Sequence, residues 1–187
     1  MKKKLGILII CIGLALLGGA GYLTYDNYQR EKAQAERAER ALSGLADALP
    51  QFHENSLPTK NIDGYDYVGI LEIPKLGKKL PILAVCEDSL LDIAPGLFSG
   101  NPYFGNMVIG GHNSQAHLAG LDQLAPGDDI TFTDFNDIVW KYKVAGNEVL
   151  APKQGNQLMN SKYELSIFNC TWDNSSRFVV RCSTAGK

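Results

Sequence analysis

From Tyr65 onward the chain is a succession of short β-prone runs, and the helical turns between them are too few and too short to return a strand in parallel. The runs are Tyr67 to Pro74, Lys79 to Val85, Asn106 to Gly110, Asp129 to Thr133, Val139 to Ala145, Glu148 to Ala151, Leu165 to Cys170 and Arg177 to Cys182. Gly, Pro, Asn and Asp punctuate them, as turns require. Only Ser89 to Ile93 and His117 to Leu124 read as helical turns. A parallel crossover needs a dozen or more residues, usually helical. The pattern therefore predicts a mainly β fold, a closed antiparallel barrel of seven or eight strands with short helices. Roughly 120 residues suffice for one such core, so a single domain spanning 65–187 is expected.

The first third of the chain has a different texture. Lys2, Lys3 and Lys4 precede an uncharged apolar run from Leu5 to Leu23. That run approaches the roughly 20 residues a helix needs to cross a hydrocarbon core of about 30 Å. It is longer than the h-region of a cleaved signal peptide, although Gly18-Gly19-Ala20 would offer small residues for cleavage. Lysines favour the cytoplasmic side. The expected order is a basic cytoplasmic segment at 1–4, a transmembrane anchor at 5–23, a stalk and linker at 24–64, and an extracytoplasmic domain on a single-pass membrane protein. Asp26 to Leu49 is rich in Ala, Glu, Arg and Gln, which predicts a helical stalk with few large side chains to bury. Pro50 and the polar stretch from Gln51 to Gly64, with His53 and Pro58, form a strap. With 18 basic and 20 acidic residues, the net charge of −2 gives no field that would gather nucleic acid.

With Cys11 in the apolar run, Cys86, Cys170 and Cys182 are left to the domain. Three is odd, so at least one thiol stays reduced or bridges two chains. Cys170 ends one β-run and Arg177 begins the next, with the polar turn Thr171 to Ser176 between them. The reversal brings a thiol beside a guanidinium, and a nearby cation favours the thiolate, which is the attacking form. Arg181 shares Arg177's strand face but lies about 13 Å farther along, so Arg177 is the better candidate. Cys182 alternates onto the opposite face with Phe178 and Val180, which reads as a packed thiol. Cys86 has no recognisable role. Among the histidines, His112 ends the run Met107 to Gly111 and could reach another strand's end, His117 sits in the following loop, and His53 lies outside the domain. His112, His117, Cys170 and Cys182 could in principle ligate zinc, but no C-x₂₋₄-C knuckle accompanies them. No metal or cofactor is expected.

Taken together these features resemble the sortases of Gram-positive bacteria. The resemblance rests on the anchor and stalk, the strand Val68-Gly-Ile-Leu-Glu-Ile-Pro-Lys75, the Gly111-His112 pair, and a C-terminal Cys170 followed by Arg177 before an apolar strand. Where the family has T-L-x-T-C, this chain has Ser166-Ile167-Phe168-Asn169-Cys170, so the nucleophile is kept and the preceding threonine is replaced by Asn169. The resemblance implies an eight-stranded barrel. It also implies a cysteine transpeptidase that cleaves a C-terminal, often LPxTG-like, sorting signal between Thr and Gly and passes the acyl group to an amine. Its partners would be surface proteins or pilins bearing that signal, and a peptidoglycan precursor or pilin as acceptor. Cys170 would be the nucleophile, His112 the general acid and base, and Arg177 the stabiliser of the reacting carbonyl. A cell-envelope cysteine hydrolase and a non-catalytic anchored β-domain are the alternatives.

Overall fold

Alternation of inward apolar and outward polar residues builds the sheet, most visibly where Val68, Leu71, Ile73, Leu80 and Ile82 are all buried on neighbouring strands. The computed structural model describes residues 2–47, 57–151, 153–170 and 175–185, with the backbone alone at 2–11, 15, 47 and 170. The linker at 48–56, with His53, and the turn at 171–174 lie outside the described residues. The elements in chain order are α1 (Lys2–Asp47), β1 (Lys60–Ile62), β2 (Tyr65–Ile73), β3 (Lys78–Leu83), β4 (Gly96–Ser99), β5 (Met107–Gly111), β6 (Asp129–Asp134), β7 (Val139–Leu150), α2 (Gly155–Met159), β8 (Leu165–Cys170) and β9 (Arg177–Thr184).

The sheet runs β1-β2-β3-β4-β5-β8-β9-β7-β6, and a further pairing of β2 with β6 closes β2 to β9 into an eight-stranded barrel. The purely antiparallel expectation is corrected at two places, because β3 pairs with β4 and β5 with β8 in parallel. A lack of long helices forbids helical crossovers between consecutive strands; it does not forbid pairing between strands distant in sequence, as in β5 and β8. For β3 and β4 the loop 84–95, with its turns, makes the return. The two expected runs at 139–145 and 148–151 are one strand, β7, with a register shift between Val144 and Gly146.

The barrel interior is filled by Leu71, Ile73, Ile82, Met107, Ile109, Ile130, Phe132, Tyr142, Leu165, Ile167, Val180 and Cys182. Each such aliphatic or aromatic side chain contributes about 1.5–3 kcal/mol on burial. Cys182 is completely buried, as its alternation with Phe178 and Val180 predicts, and burial pushes its thiol up to about 12.

The stalk is not free-standing. Helix α1 runs unbroken for 46 residues, and its C-terminal half docks on the barrel through Ala41 and Leu45, which pack with Tyr67, Leu83 and Ala94, and Ala38 one turn earlier is also buried. Small side chains let the helix approach closely enough for Ser114 Oγ to donate to Gln34 Oε1 at 3.1 Å and Lys60 Nζ to the Leu45 carbonyl at 2.8 Å. Among the described residues no helix is long and apolar enough to cross a membrane. The apolar run expected to do so lies within α1, where Leu14, Leu16, Leu17 and Leu23 are exposed.

Candidate active site

The register of three neighbouring strands places the candidate residues in a row. In the parallel pair β5–β8, Gly111 lies opposite Asn169, and the next residues are His112 and Cys170. In the antiparallel pair β8–β9, Cys170 lies opposite Arg177, the register expected from the hairpin. The backbones of His112, Cys170 and Arg177 thus meet at one end of the barrel.

Arg177 belongs to the outer face of the sheet, where Val108, Leu150, Leu158, Phe168 and Val179 form a second apolar cluster. Its guanidinium carbon lies 5.6 Å from the centre of the Phe168 ring, within cation–π range. Phe98 meets the same ring edge-on at 5.3 Å. Gly110 makes this possible: a Cβ there would come within 2.7 Å of the Phe168 ring and 2.9 Å of Cys86 Sγ. Cys86, unassigned from sequence, therefore lies on the outer face beside Gly110.

Arg181 is occupied elsewhere. It is 4 % exposed and makes four hydrogen bonds: Nε to the Glu148 carboxylate, Nη1 to Ser166 Oγ at 2.7 Å and the Leu158 carbonyl at 3.0 Å, and Nη2 to the Gln157 carbonyl at 2.8 Å. It sits opposite Ser166, four residues back from Cys170, and fastens α2 to the sheet. Arg181 thus serves the fold, while Arg177 is the arginine that lies opposite Cys170.

The His112 ring is partly exposed, with Nε2 3.5 Å from Asp92 Oδ1. Its other face meets His117, nearly parallel at 15° with centres 6.5 Å apart. Sequence reasoning noted His117 only as a loop residue or zinc ligand. It is completely buried, and neither ring nitrogen has a hydrogen-bond partner among the described residues. Burial first, and then the neighbouring charge of His112, pushes its pKa down to about 4; the Ile93 backbone opposes this without reaching hydrogen-bond geometry. Its folded-state pKa lies below the ordinary value of about 6.5, so the neutral ring is what the fold tolerates. The stability this supplies is complete above about pH 6.5 and is lost as pH falls toward 4, because the unfolded chain then binds a proton that the folded chain refuses. Between those limits the loss is about 3 kcal/mol. Denaturant unfolding of the wild type and His117→Phe at pH 7.5 and 4.5 checks this. The variant should lose less stability on acidification by about that amount; equal losses would refute it.

Asn169, the residue in place of the family threonine, points inward and is 4 % exposed. Its Nδ2 donates to the Leu118 carbonyl at 2.7 Å and to Asn113 Oδ1 at 3.2 Å. It therefore ties the strand ending in Cys170 to the loop that follows His112.

A family model for the Sortase domain matches residues 71–185. The chain belongs to the sortase family. Solved structures agree in fold. Sortase C-3 of Streptococcus pneumoniae superposes with a TM-score of 0.59 at 19 % identity, covering 86 % of this chain and 84 % of that one. Sortase C of Clostridium perfringens SM101 gives 0.57 at 23 % identity, covering 65 % and 71 %. A Clostridium perfringens sortase D5 transpeptidase gives 0.56 at 25 % identity, covering 65 % and 80 %. No curated protein sequence matches this sortase.

Proposed function

We propose that this sortase is a membrane-anchored cysteine transpeptidase working through a thioester on Cys170, with the apolar run in α1 as its anchor and the barrel outside the cell. The observation that carries the assignment is the row of His112, Cys170 and Arg177 across three adjacent strand ends. Acyl transfer through a thioester needs a nucleophile, a proton carrier and a group to hold the oxyanion, and these three side chains supply them.

The Cys170 thiolate attacks the scissile carbonyl of an LPxTG-like sorting signal on a surface protein or pilin. The C–N bond breaks, and the leaving amine takes a proton from the His112 imidazolium. The neutral His112 then accepts a proton from the incoming amine, a peptidoglycan or pilin group. The new amide forms as the C–S bond breaks and the thiolate returns. Arg177 donates to the carbonyl oxygen as negative charge develops there, and Phe168 beneath it restricts its guanidinium. Asp92 steadies the His112 ring from the solvent side.

Intact-protein mass spectrometry tests the reading. Incubation with a library of sorting-signal peptides and no amine should add one acyl fragment to Cys170, removable by hydroxylamine, and added amine should discharge it as a new amide. A mass unchanged across the library would refute the thioester. Discharge to water alone, with amine present, would make the protein a hydrolase.

A further inference from the structure

Helix α1 carries one stripe of residues, Glu31, Gln34, Ala38, Ala41 and Leu45, spaced by three and four positions so that all five share a face. Ala38, Ala41 and Leu45 are buried. Toward the N-terminus the stripe turns polar, at Gln34 and Glu31, where it passes the turn that follows His112. We propose that this docked half of α1 is a positioning element for the His112 imidazole, with Gln34 the positioning residue through which it acts; the inference rests on the transpeptidase reading and deepens it.

The His112 ring is held lightly. Its side chain is 42 % exposed, and the two groups beside it, Asp92 at 3.5 Å and the nearly parallel His117 ring, come from different loops. Both loops are fastened to α1. In the turn after β5, Ser114 is the hub. Its carbonyl accepts from the His117 and Ala119 amides, each at 3.0 Å, and its hydroxyl donates to Gln34 Oε1 on the helix. The Leu118 amide reaches back to the His112 carbonyl at 3.1 Å. Lys78, whose charge feels Glu31, donates to the Gln115 carbonyl of the same turn at 2.7 Å. In the loop between β3 and β4, Leu90 and Ile93 flank Asp92 and pack against the cluster of Ala41, Leu45 and Tyr67.

The two loops thus share one support, and the imidazole stands between them. A ring that must give a proton to one amine and take one from another is sensitive to placement, since an error of about 1 Å costs about 10²-fold in rate. The sheet cannot supply this placement by itself, because Asp92 and His117 both lie outside the strands.

The test uses the full-length chain. Gln34→Met removes the acceptor at nearly constant shape, Ser114→Ala removes the donor, and Ser114→Thr keeps it. In steady-state transfer of a sorting-signal peptide to an amine, kcat should fall about fivefold in Gln34→Met and in Ser114→Ala, with KM and melting temperature nearly unchanged. The double variant should lose no more than either single one, and Ser114→Thr should retain the wild-type kcat. Ala41→Glu, which forces a carboxylate into the buried seam, should lower kcat roughly tenfold or more. Hydrogen exchange in that variant should quicken at the amides of Ile93, His117, Leu118 and Ala119, but not at Ile167 or Val180 in the barrel. An unchanged kcat in Gln34→Met and Ser114→Ala overturns the proposal, as does a loss that appears in KM or melting temperature instead. Unaltered exchange around His112 in Ala41→Glu overturns it too. Should Ala41→Glu loosen Ile167 and Val180 as well, the Gln34 and Ser114 variants decide. If the wild type forms no acyl-enzyme at all, the transpeptidase reading fails, and this inference falls with it.

Discussion

Cys170→Ala is expected to abolish peptide cleavage, with a loss of roughly 10⁴-fold or more, while leaving the melting temperature nearly unchanged. No other group in the row of His112, Cys170 and Arg177 can form the thioester. Cys182→Ala should do the reverse. That thiol is completely buried among Leu165, Val180 and Tyr142, and burial holds its pKa at about 12, so it is a protonated space-filler at neutral pH. Its removal deletes one buried atom, costing about 1–2 kcal/mol of stability with turnover retained. Activity assays with thermal melts of both variants separate the roles. An inactive Cys182→Ala with an unaltered melting temperature would mean that the wrong thiol has been chosen.

The second large effect separates the two arginines of β9. Arg181→Ala should destabilise the domain by about 3–5 kcal/mol, because it strips partners from Ser166 Oγ and the carbonyls of Gln157 and Leu158 and leaves Glu148 without its cation. For a domain of this size that lowers the melting temperature by about 10 °C or more. Lysine at 181 cannot rescue it, since one ammonium cannot reach partners arranged around a planar fork. Arg181→Lys is therefore expected to lower stability even where it leaves the chemistry largely intact. Arg177→Lys should behave in the opposite way: the fold survives, and kcat/KM falls by about 10²-fold, equivalent to roughly 2.7 kcal/mol of transition-state stabilisation. A well-folded but inactive Arg181→Ala, beside a fully active Arg177→Lys, would move the role to Arg181.

The β8–β9 hairpin was legible because its information is local. Two β-prone runs around a polar turn fix one register, and that register sets Cys170 against Arg177. Seven of the nine strands announced themselves through alternation, with β7 read as two. The other two, β1 and β4, are three and four residues long, too short for any periodicity to show. The parallel pairing of β5 with β8 joins residues almost sixty positions apart, and nothing in either run encodes its neighbour's direction. The same distance hid the surroundings of the site. Asp92 reaches His112 from the loop between β3 and β4, and His117 stacks on it from the loop beyond. Arg181 looked like an alternative to Arg177 because its partners come from β7, α2 and β8, which sequence order scatters.

The docking of α1 has a consequence for reach. A helix rises 1.5 Å per residue, so the eleven steps from Leu23 to Gln34 place the contact with Ser114 about 16 Å beyond the end of the apolar run. Ser114 is two residues from His112. A barrel on a flexible leash would sample a wide shell of heights above a bilayer. One clamped to an unbroken helix works at a single short height and orientation, so with the proposed anchor in place it selects substrates by where they are held as well as by what they contain. A sorting signal still close to the membrane, or an acceptor carried on a lipid, comes within its range; the same peptide on a distant, finished wall does not.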